Sequence, residues 1–516
     1  MLNYGLLHRN HAAGNAQRAV PFWLSALPAL LLGGLLLLVA NAGYTAEDDA
    51  HYLSAADHWL AGEAFLGTTH WELRHPHIFA ITASFLIFGR SEAAMMMPTL
   101  AAYFGVILIT VWLLRQIAGH RAALLAGLFF AATPIFVFYA RIPYPDMTEL
   151  FFCVVSFVFL WNGLESGRNR WFVLAGLAMS MAWMIRSSTL PLIILYGILF
   201  LAGFGVSRTK YLTMAVGFAP PVLIEWWYYW RRAGDPFYRF AVDMNSLEIP
   251  TAHMVGKVAH GLRPPFNVEL MQRWVPNSVV DVHWLVNPYI DFLTNPSFGL
   301  LYAAAIAASI NVLRSGHLPQ SARGFAWVVV LLAVLWIFCT IYVLNLRPQA
   351  RYFMPVSWAC CVLLGLGMDQ FMRRSGANPR RYGAVAIVLF LLIDAALVSA
   401  RKDPMQAERE LVDFVASHDG AFLTDLGKAR FLIEERGLAN RVEFVTEADP
   451  KARKVYLVST DSAGRWVAQG GKVVKRLPRR RSAVDGFWIT VAPSAIAAKL
   501  RGDRGVVMVR RAATPS

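Results

Sequence analysis

Charge is scarce in this sequence. Asp, Glu, Lys and Arg make up 16% of its 516 residues, against about 25% in soluble proteins, while hydrophobic residues reach 57% and mean hydropathy is +0.45. So few charges cannot coat the soluble domains that a prior of roughly 150 residues each would allow, so most of the apolar surface must face lipid. The chain reads as a polytopic membrane protein. Cysteine is scarce too: Cys153, Cys339, Cys360 and Cys361 all lie inside apolar runs, which excludes a disulfide framework or a metal-ligand spacing. A glycine-rich phosphate loop is missing, as are internal repeats and low-complexity tracts, apart from the basic run Arg479-Arg480-Arg481. Acidic residues are the rarer sign, 33 against 48 basic, for a net charge of +15. On a folded domain that excess would suggest nucleic acid. In a membrane protein it is expected in cytoplasmic loops, and nucleic acid is not an expected partner.

The first apolar run, Pro21 to Ala40, is about 20 residues long, beyond the 7 to 15 of a signal-peptide core, and is expected to stay as a helix despite the cleavage-like Ala40-Asn41-Ala42 after it. Further spanning runs read at 92–114, 122–140, 147–163, 171–186, 189–205, 211–230, 298–313, 324–345, 352–368 and 382–399, eleven in all. With residues 1–20 in the cytoplasm, every inside connection is basic: Arg115 and Arg121, Arg168 and Arg170, Arg208 and Lys210, Arg314 and Arg323, then Arg373, Arg374, Arg380 and Arg381. That satisfies the orientation rule. Fusing the two runs around Arg186-Ser187-Ser188 would flip everything downstream and break it. Residues 21–400 are thus expected to form a transmembrane domain with outer loops 41–77 and 231–297, in the cytoplasmic (inner) membrane. Residues 401–516 alternate short strand and helix patterns, predicting a small extracytoplasmic α/β domain. This tail holds 22 basic and 14 acidic residues, and long domains translocate largely regardless of charge.

Ionisable residues at the outer boundary are the candidates for chemistry, because charge near lipid is costly without a partner or a task. Glu47-Asp48-Asp49 follows the first helix, ahead of His51 and Tyr52. A carboxylate there can serve as a general base or as a helix cap. Tyr52 to Leu60 is amphipathic and suits a helix along the membrane surface. The loop closes on Arg74-His75-Pro76-His77, more suited to phosphate than to metal. Arg141, Pro143, Pro145 and Asp146 make a turn that no regular helix crosses. Arg186, Arg231, Arg232, Arg347 and Arg351 sit at outer ends, the wrong side for arginine by the orientation rule. Arginine pairs bidentately with phosphate, so an outer arginine cluster around carboxylates points to a phosphorylated, lipid-anchored ligand. For Arg231 and Arg232, snorkelling beside Trp226-Trp227-Tyr228-Tyr229-Trp230 is the preferred reading.

Asp48-Asp49 with Tyr52, His75-Pro76-His77, Arg141 with Pro145-Asp146, and Arg351-Tyr352 with Pro355 resemble the bacterial members of the dolichyl-phosphate-mannose protein mannosyltransferase family, over roughly residues 20–400. That family includes aminoarabinose transferases acting on lipid A and has the glycosyltransferase C fold. The resemblance implies inverting transfer from a polyprenyl-phosphate sugar to a lipid, glycan or protein acceptor outside the membrane. It places Asp48 as the base with Asp49 beside it, Asp146 as the second acid, and Arg186, Arg351 and Tyr352 at the donor phosphate. Arg74, His75 and Arg141 join the donor-phosphate set. The family's usual Asp-Glu is Asp48-Asp49 here, and its Lys-Pro-Pro is His75-Pro76-His77, so Arg74 stands in for the lysine. Trp226-Trp227-Tyr228 departs from the Trp-Trp-Asp of oligosaccharyltransferases. No cofactor is required, since arginines can replace a divalent cation, and none is indicated. The competing expectation is a secondary transporter or a lipid carrier without transferase chemistry; charges gathered at one face favour the enzyme over a transporter with a midplane site.

Overall fold

The computed structural model describes residues 20–243, 295–314, 319–344, 349–374, 377–401, 403–445, 455–477 and 505–511, with a few isolated positions between them. Residues 1–19, most of the expected loop 231–297, Arg347 and Arg479 to Arg481 lie outside the described residues. From the N-terminus the helices are α1 (Phe22–Val39), α2 (Asp48–Leu60), α3 (His75–Phe88), α4 (Glu92–Ile117), α5 (His120–Ala132), α6 (Pro134–Arg141), α7 (Asp146–Ser166), α8 (Asn169–Ile185), α9 (Leu190–Ala202), α10 (Arg208–Leu212), α11 (Met214–Ala233), α12 (Leu301–Arg314), α13 (Gln320–Phe338), α14 (Met354–Met372) and α15 (Ala377–Ser399).

Each apolar run expected to span is helical. Among the described residues, six helices are long and apolar enough to cross a bilayer, seven if the pair α5 and α6, bent by 60° at Thr133-Pro134, counts as one. This falls short of the expected eleven by length and composition, because α8, α9 and α12 are short and α11 carries two prolines and a polar end. The chain does break at Arg186, which is extended (φ −154°, ψ 135°) between α8 and a single 3₁₀ turn. Sequence reading left residues 78–91 unassigned; there the chain forms most of α3, an apolar helix of 14 residues.

Interior packing follows membrane rules, in which small residues let helices approach and polar side chains find partners across the interface. Gly176 of α8 and Gly217 of α11 face each other's backbones. A Cβ on Gly176 would lie 1.9 Å from the Met214 carbonyl oxygen, and one on Gly217 1.9 Å from that of Val173. Trp358 donates to Thr110 at 2.8 Å and Tyr103 to the Ala131 carbonyl at 2.8 Å, two polar contacts made between helices.

After α15 come α16 (Gln406–Ser417), α17 (Arg430–Glu435) and α18 (Ala463–Ala468), with strands β1 (Phe422–Thr424), β2 (Val442–Phe444), β3 (Val455–Ser459), β4 (Gly471–Arg476) and β5 (Val506–Arg511). They form one sheet of order β2-β1-β3-β5-β4, parallel around β1 and antiparallel around β5. Leu423, Tyr456, Val458, Val507 and Val509 pack with Trp466 of α18. Leu411, Phe431, Leu432 and Val506 instead share a core with Tyr44, Tyr52, Leu53, Ile78 and Met95. The C-terminal segment is therefore seated on α2, α3 and the turn that precedes α2.

Candidate active site

Between α1 and α2 the chain makes a tight turn whose form is dictated by Asp49. That side chain is fully buried and accepts hydrogen bonds from the Thr45 amide (2.5 Å), the Thr45 hydroxyl (2.9 Å) and the Glu47 amide (2.8 Å). Burial pushes its carboxyl up to about 6, with the amide donors pulling the other way. Ala46 inside the turn has φ +53°, the one positive φ outside glycine among the described residues, a conformation costing an L-residue about 1–2 kcal/mol. Asp49 thus holds together the turn that precedes α2, and its neighbour is turned the opposite way.

Asp48 projects outward and accepts from Arg351 Nη1 at 2.7 Å. Burial raises its carboxyl, but Arg351, Arg74 and a hydrogen bond from Trp71 outweigh that and leave it below the ordinary carboxylate range. At neutral pH it is ionised and proton-free, the form a general base needs. Arg351 lies 5.2 Å from the Tyr144 ring centre and 5.4 Å from that of Tyr352. Arg186 lies 4.6 Å from the same Tyr352 ring and is ion-paired with buried Asp146, the first residue of α7. The second oxygen of Asp146, Oδ2, is buried without a hydrogen-bond partner among the described residues. Two arginine–carboxylate pairs therefore share one tyrosine.

Arg74 caps α3 and donates to the Tyr52 hydroxyl at 2.6 Å. Among the described residues it has no carboxylate in ion-pair contact, although its charge is felt at Asp48. A cavity of about 340 Å³ opens beside the first pair, lined by Asp48, Arg351, Tyr139, Tyr144, Gln349 and Arg401. Arg401 sits 4.0 Å from the Phe138 ring centre and also lacks a carboxylate partner among the described residues. A larger cavity, about 660 Å³, lies between α2 and the C-terminal segment, lined by Tyr44, Ala46, Arg90, Lys428 and Phe431. Residues 44 and 46 face this one while Thr45, Glu47 and Asp48 face the smaller, so the turn is a partition between two chambers.

Of the residues singled out in the sequence, the fold brings Asp48, Asp146, Arg186, Arg351 and Tyr352 together, with Arg74 at the edge. Two others have different partners. Arg141 donates to the carbonyls of Leu37 (2.9 Å) and Ala40 (2.6 Å), tying off the C-terminus of α1. His75 is buried against Tyr228, Tyr229 and Phe79, with Nδ1 3.4 Å from the Tyr229 hydroxyl and 3.7 Å from Glu225, which also pairs with Arg239. Sequence reasoning passed over Glu149, which accepts from Ser188 (2.9 Å) and Thr189 (3.0 Å) and lies 3.7 Å from Arg186. Its signal was present: Asp146 and Glu149 are three apart on one helix face. It also passed over Arg401, which the preceding apolar run made look like a mere helix end. Among the described residues no three His, Cys, Asp or Glu side chains converge as metal ligands.

Residues 75–228 match the family profile described as dolichyl-phosphate-mannose-protein mannosyltransferase. No curated protein matches the chain in sequence. In fold it is similar to ArnT from Cupriavidus metallidurans in the apo state, with 14% identity over 94% of this chain and 97% of that one at a TM-score of 0.51. The same protein bound to undecaprenyl phosphate gives 14% identity, the same coverage and a TM-score of 0.52. The resemblance read from the short motifs is borne out by the profile over residues 75–228 and by the likeness in fold to ArnT, and the chain is a multi-pass membrane protein.

Proposed function

We propose that this chain is an inverting glycosyltransferase, moving a sugar from a polyprenyl-phosphate donor to a hydroxyl or amine of a lipid, glycan or protein acceptor at the outer face of the cytoplasmic membrane. The observation that carries the reading is the Asp48–Arg351 pair at 2.7 Å, set beside Asp146–Arg186 around Tyr352. Such a group holds an ionised carboxylate and several cations at one point, which is what displacement of a phosphate by a neutral nucleophile demands. Arg74 and Arg401, with no carboxylate in contact among the described residues, are the cations most available to a phosphate. The match to a family named for a dolichyl-phosphate sugar, and the likeness to a protein solved with undecaprenyl phosphate, support a polyprenyl-phosphate donor.

In the reaction the acceptor oxygen or nitrogen attacks the anomeric carbon from the face opposite the phosphate. The bond from that carbon to the phosphate oxygen breaks, and its electron pair leaves with the polyprenyl phosphate. Arginines neutralise the charge developing there, and Asp48 takes the acceptor proton. Asp49 shapes the turn rather than touching substrate. Eleven crossings, with the N-terminus inside and the C-terminal sheet outside, complete the reading; a helix shorter than about 20 residues can be accommodated where neighbours and a thinned bilayer cover it.

The test is mass spectrometry of membrane glycolipids and exported glycans from cells with and without the protein, and with Asp48→Asn. One class of acceptor should lose its sugar in the deletion strain, and Asp48→Asn should fail to restore it while remaining folded in the membrane. A base of this kind contributes about 10²–10⁴ in rate, so transfer by Asp48→Asn within threefold of wild type would remove Asp48 from this role.

A further inference from the structure

The base is held in place from a distance, by the segment that follows the last apolar helix. Arg409 of α16 grips Glu92, the first residue of α4, with both arms of its guanidinium: Nη1 to Oε2 at 2.7 Å and Nη2 to Oε1 at 2.5 Å. Its Nε donates to Asp403 at 3.0 Å, so all three faces of the fork are used. Glu92 Oε1 also accepts the amide of Tyr44 at 2.9 Å. Tyr44 opens the turn that carries Asp48, and the next amides, Thr45 and Glu47, are held by Asp49. From residue 44 to 49 the backbone is thus anchored at one end by Glu92 and at the other by Asp49, around the strained Ala46.

Gly43 marks how tightly the anchor is fitted. A Cβ there would lie 2.4 Å from Glu92 Oε1 and 2.8 Å from Arg409 Nη2, so the ion pair passes through the space a side chain would fill. The Tyr44 ring, in turn, meets Phe431 of α17 edge-on at 4.9 Å. Both contacts on Tyr44 therefore trace to the C-terminal segment, one through Glu92 and one directly.

We propose that Arg409 is a positioning residue for the catalytic turn: by fixing the Glu92 carboxylate it sets the Tyr44 amide and, through the turn, the direction in which Asp48 projects to Arg351. This rests on the glycosyltransferase reading only for the word catalytic; the mechanical claim concerns the turn itself. A planar fork is required, because lysine has the charge but not the two parallel donors.

Hydrogen–deuterium exchange on the full chain in lipid nanodiscs tests it. Arg409→Gln should raise exchange of residues 41–50 at least tenfold, Gly43→Ala should do the same by pushing Glu92 aside, and Arg409→Lys should fall between. Arg90→Gln is the comparison, since Arg90 ties α2 to α17 through Asp57 (2.8 Å) and Glu434 (3.5 Å) and lies 5.0 Å from the Phe431 ring centre without touching the turn's backbone; it should raise exchange of 41–50 less than threefold. In the transfer assay, Arg409→Gln should lower kcat at least tenfold with donor KM within threefold. Unchanged exchange at 41–50 in both Arg409→Gln and Gly43→Ala overturns the proposal, as does an equal rise in Arg90→Gln, which would mean general loss of docking. If wild type transfers no sugar, the functional reading fails while exchange still decides on the clamp.

Discussion

Adjacent carboxylates at 48 and 49 have opposite titration behaviour, and pH should separate them. Asp48 is held below its ordinary range by Arg351, so its ion pair stabilises the fold at neutral pH and that contribution is lost as pH falls through its folded value. Removing the cation in Arg351→Gln should move the acid limb of the kcat/KM profile to higher pH, measured over pH 4–8. Asp49, raised to about 6 by burial, has the reverse linkage: the folded state holds the proton more tightly, so its contribution is greatest below about pH 4 and is lost as pH rises through 6. Asp49→Asn should flatten the melting temperature between pH 4 and 6 relative to wild type. The two environments were not separable in the sequence, where Asp48-Asp49 is simply an acidic pair; only the turn decides which carboxylate meets Arg351 and which is buried against its own backbone amides.

At the scale of elements, apolar run length was the most legible signal and helix contact the least. Every long run became a helix, because backbone in lipid has no partner but itself. Helix α3 escaped notice because 14 residues are too few to span and its role is to seat Arg74 and the C-terminal core. Arg141 and His75 show the same limit from another side. Their chemistry suits phosphate, but whether a cation meets a ligand or a helix end depends on where α1 stops and α11 passes, and that is set by long-range packing. The α8–α11 crossing illustrates such packing. Gly176→Ala should force the two backbones apart and cost about 1–3 kcal/mol, read as a lower unfolding temperature in detergent, whereas Gly197→Ala, with open space around it, should leave that temperature unchanged.

For the whole molecule, the composition already excluded a soluble enzyme, and the spread of basic loops already argued an orientation. A cysteine placed at Asp419, an exposed position between α16 and β1, should react with a membrane-impermeant maleimide added to intact spheroplasts, and one placed at Arg380 should react only after lysis. The reverse pattern would invert the topology and move the candidate site to the wrong face. What the sequence could not convey is why an α/β segment follows the helices at all. Its contacts with residues 43–47 and 90–92 supply a reason within the fold, independent of any ligand it binds.

The pairing of Asp48 with Arg351 also bears on turnover. The two paired charges cancel, so Arg351 attracts anions weakly while Asp48 holds it. In the proposed transfer a donor phosphodiester carries one negative charge and the released polyprenyl monophosphate approaches two near neutral pH, so the arginines would hold the product more strongly than the substrate. In that scheme the Asp48 carboxylate, paired with Arg351 in the structure, would compete with the spent carrier for the same cation. Inhibition by added polyprenyl monophosphate should accordingly deepen as pH rises through its second ionisation, near 6, and kcat should follow carrier release rather than sugar transfer.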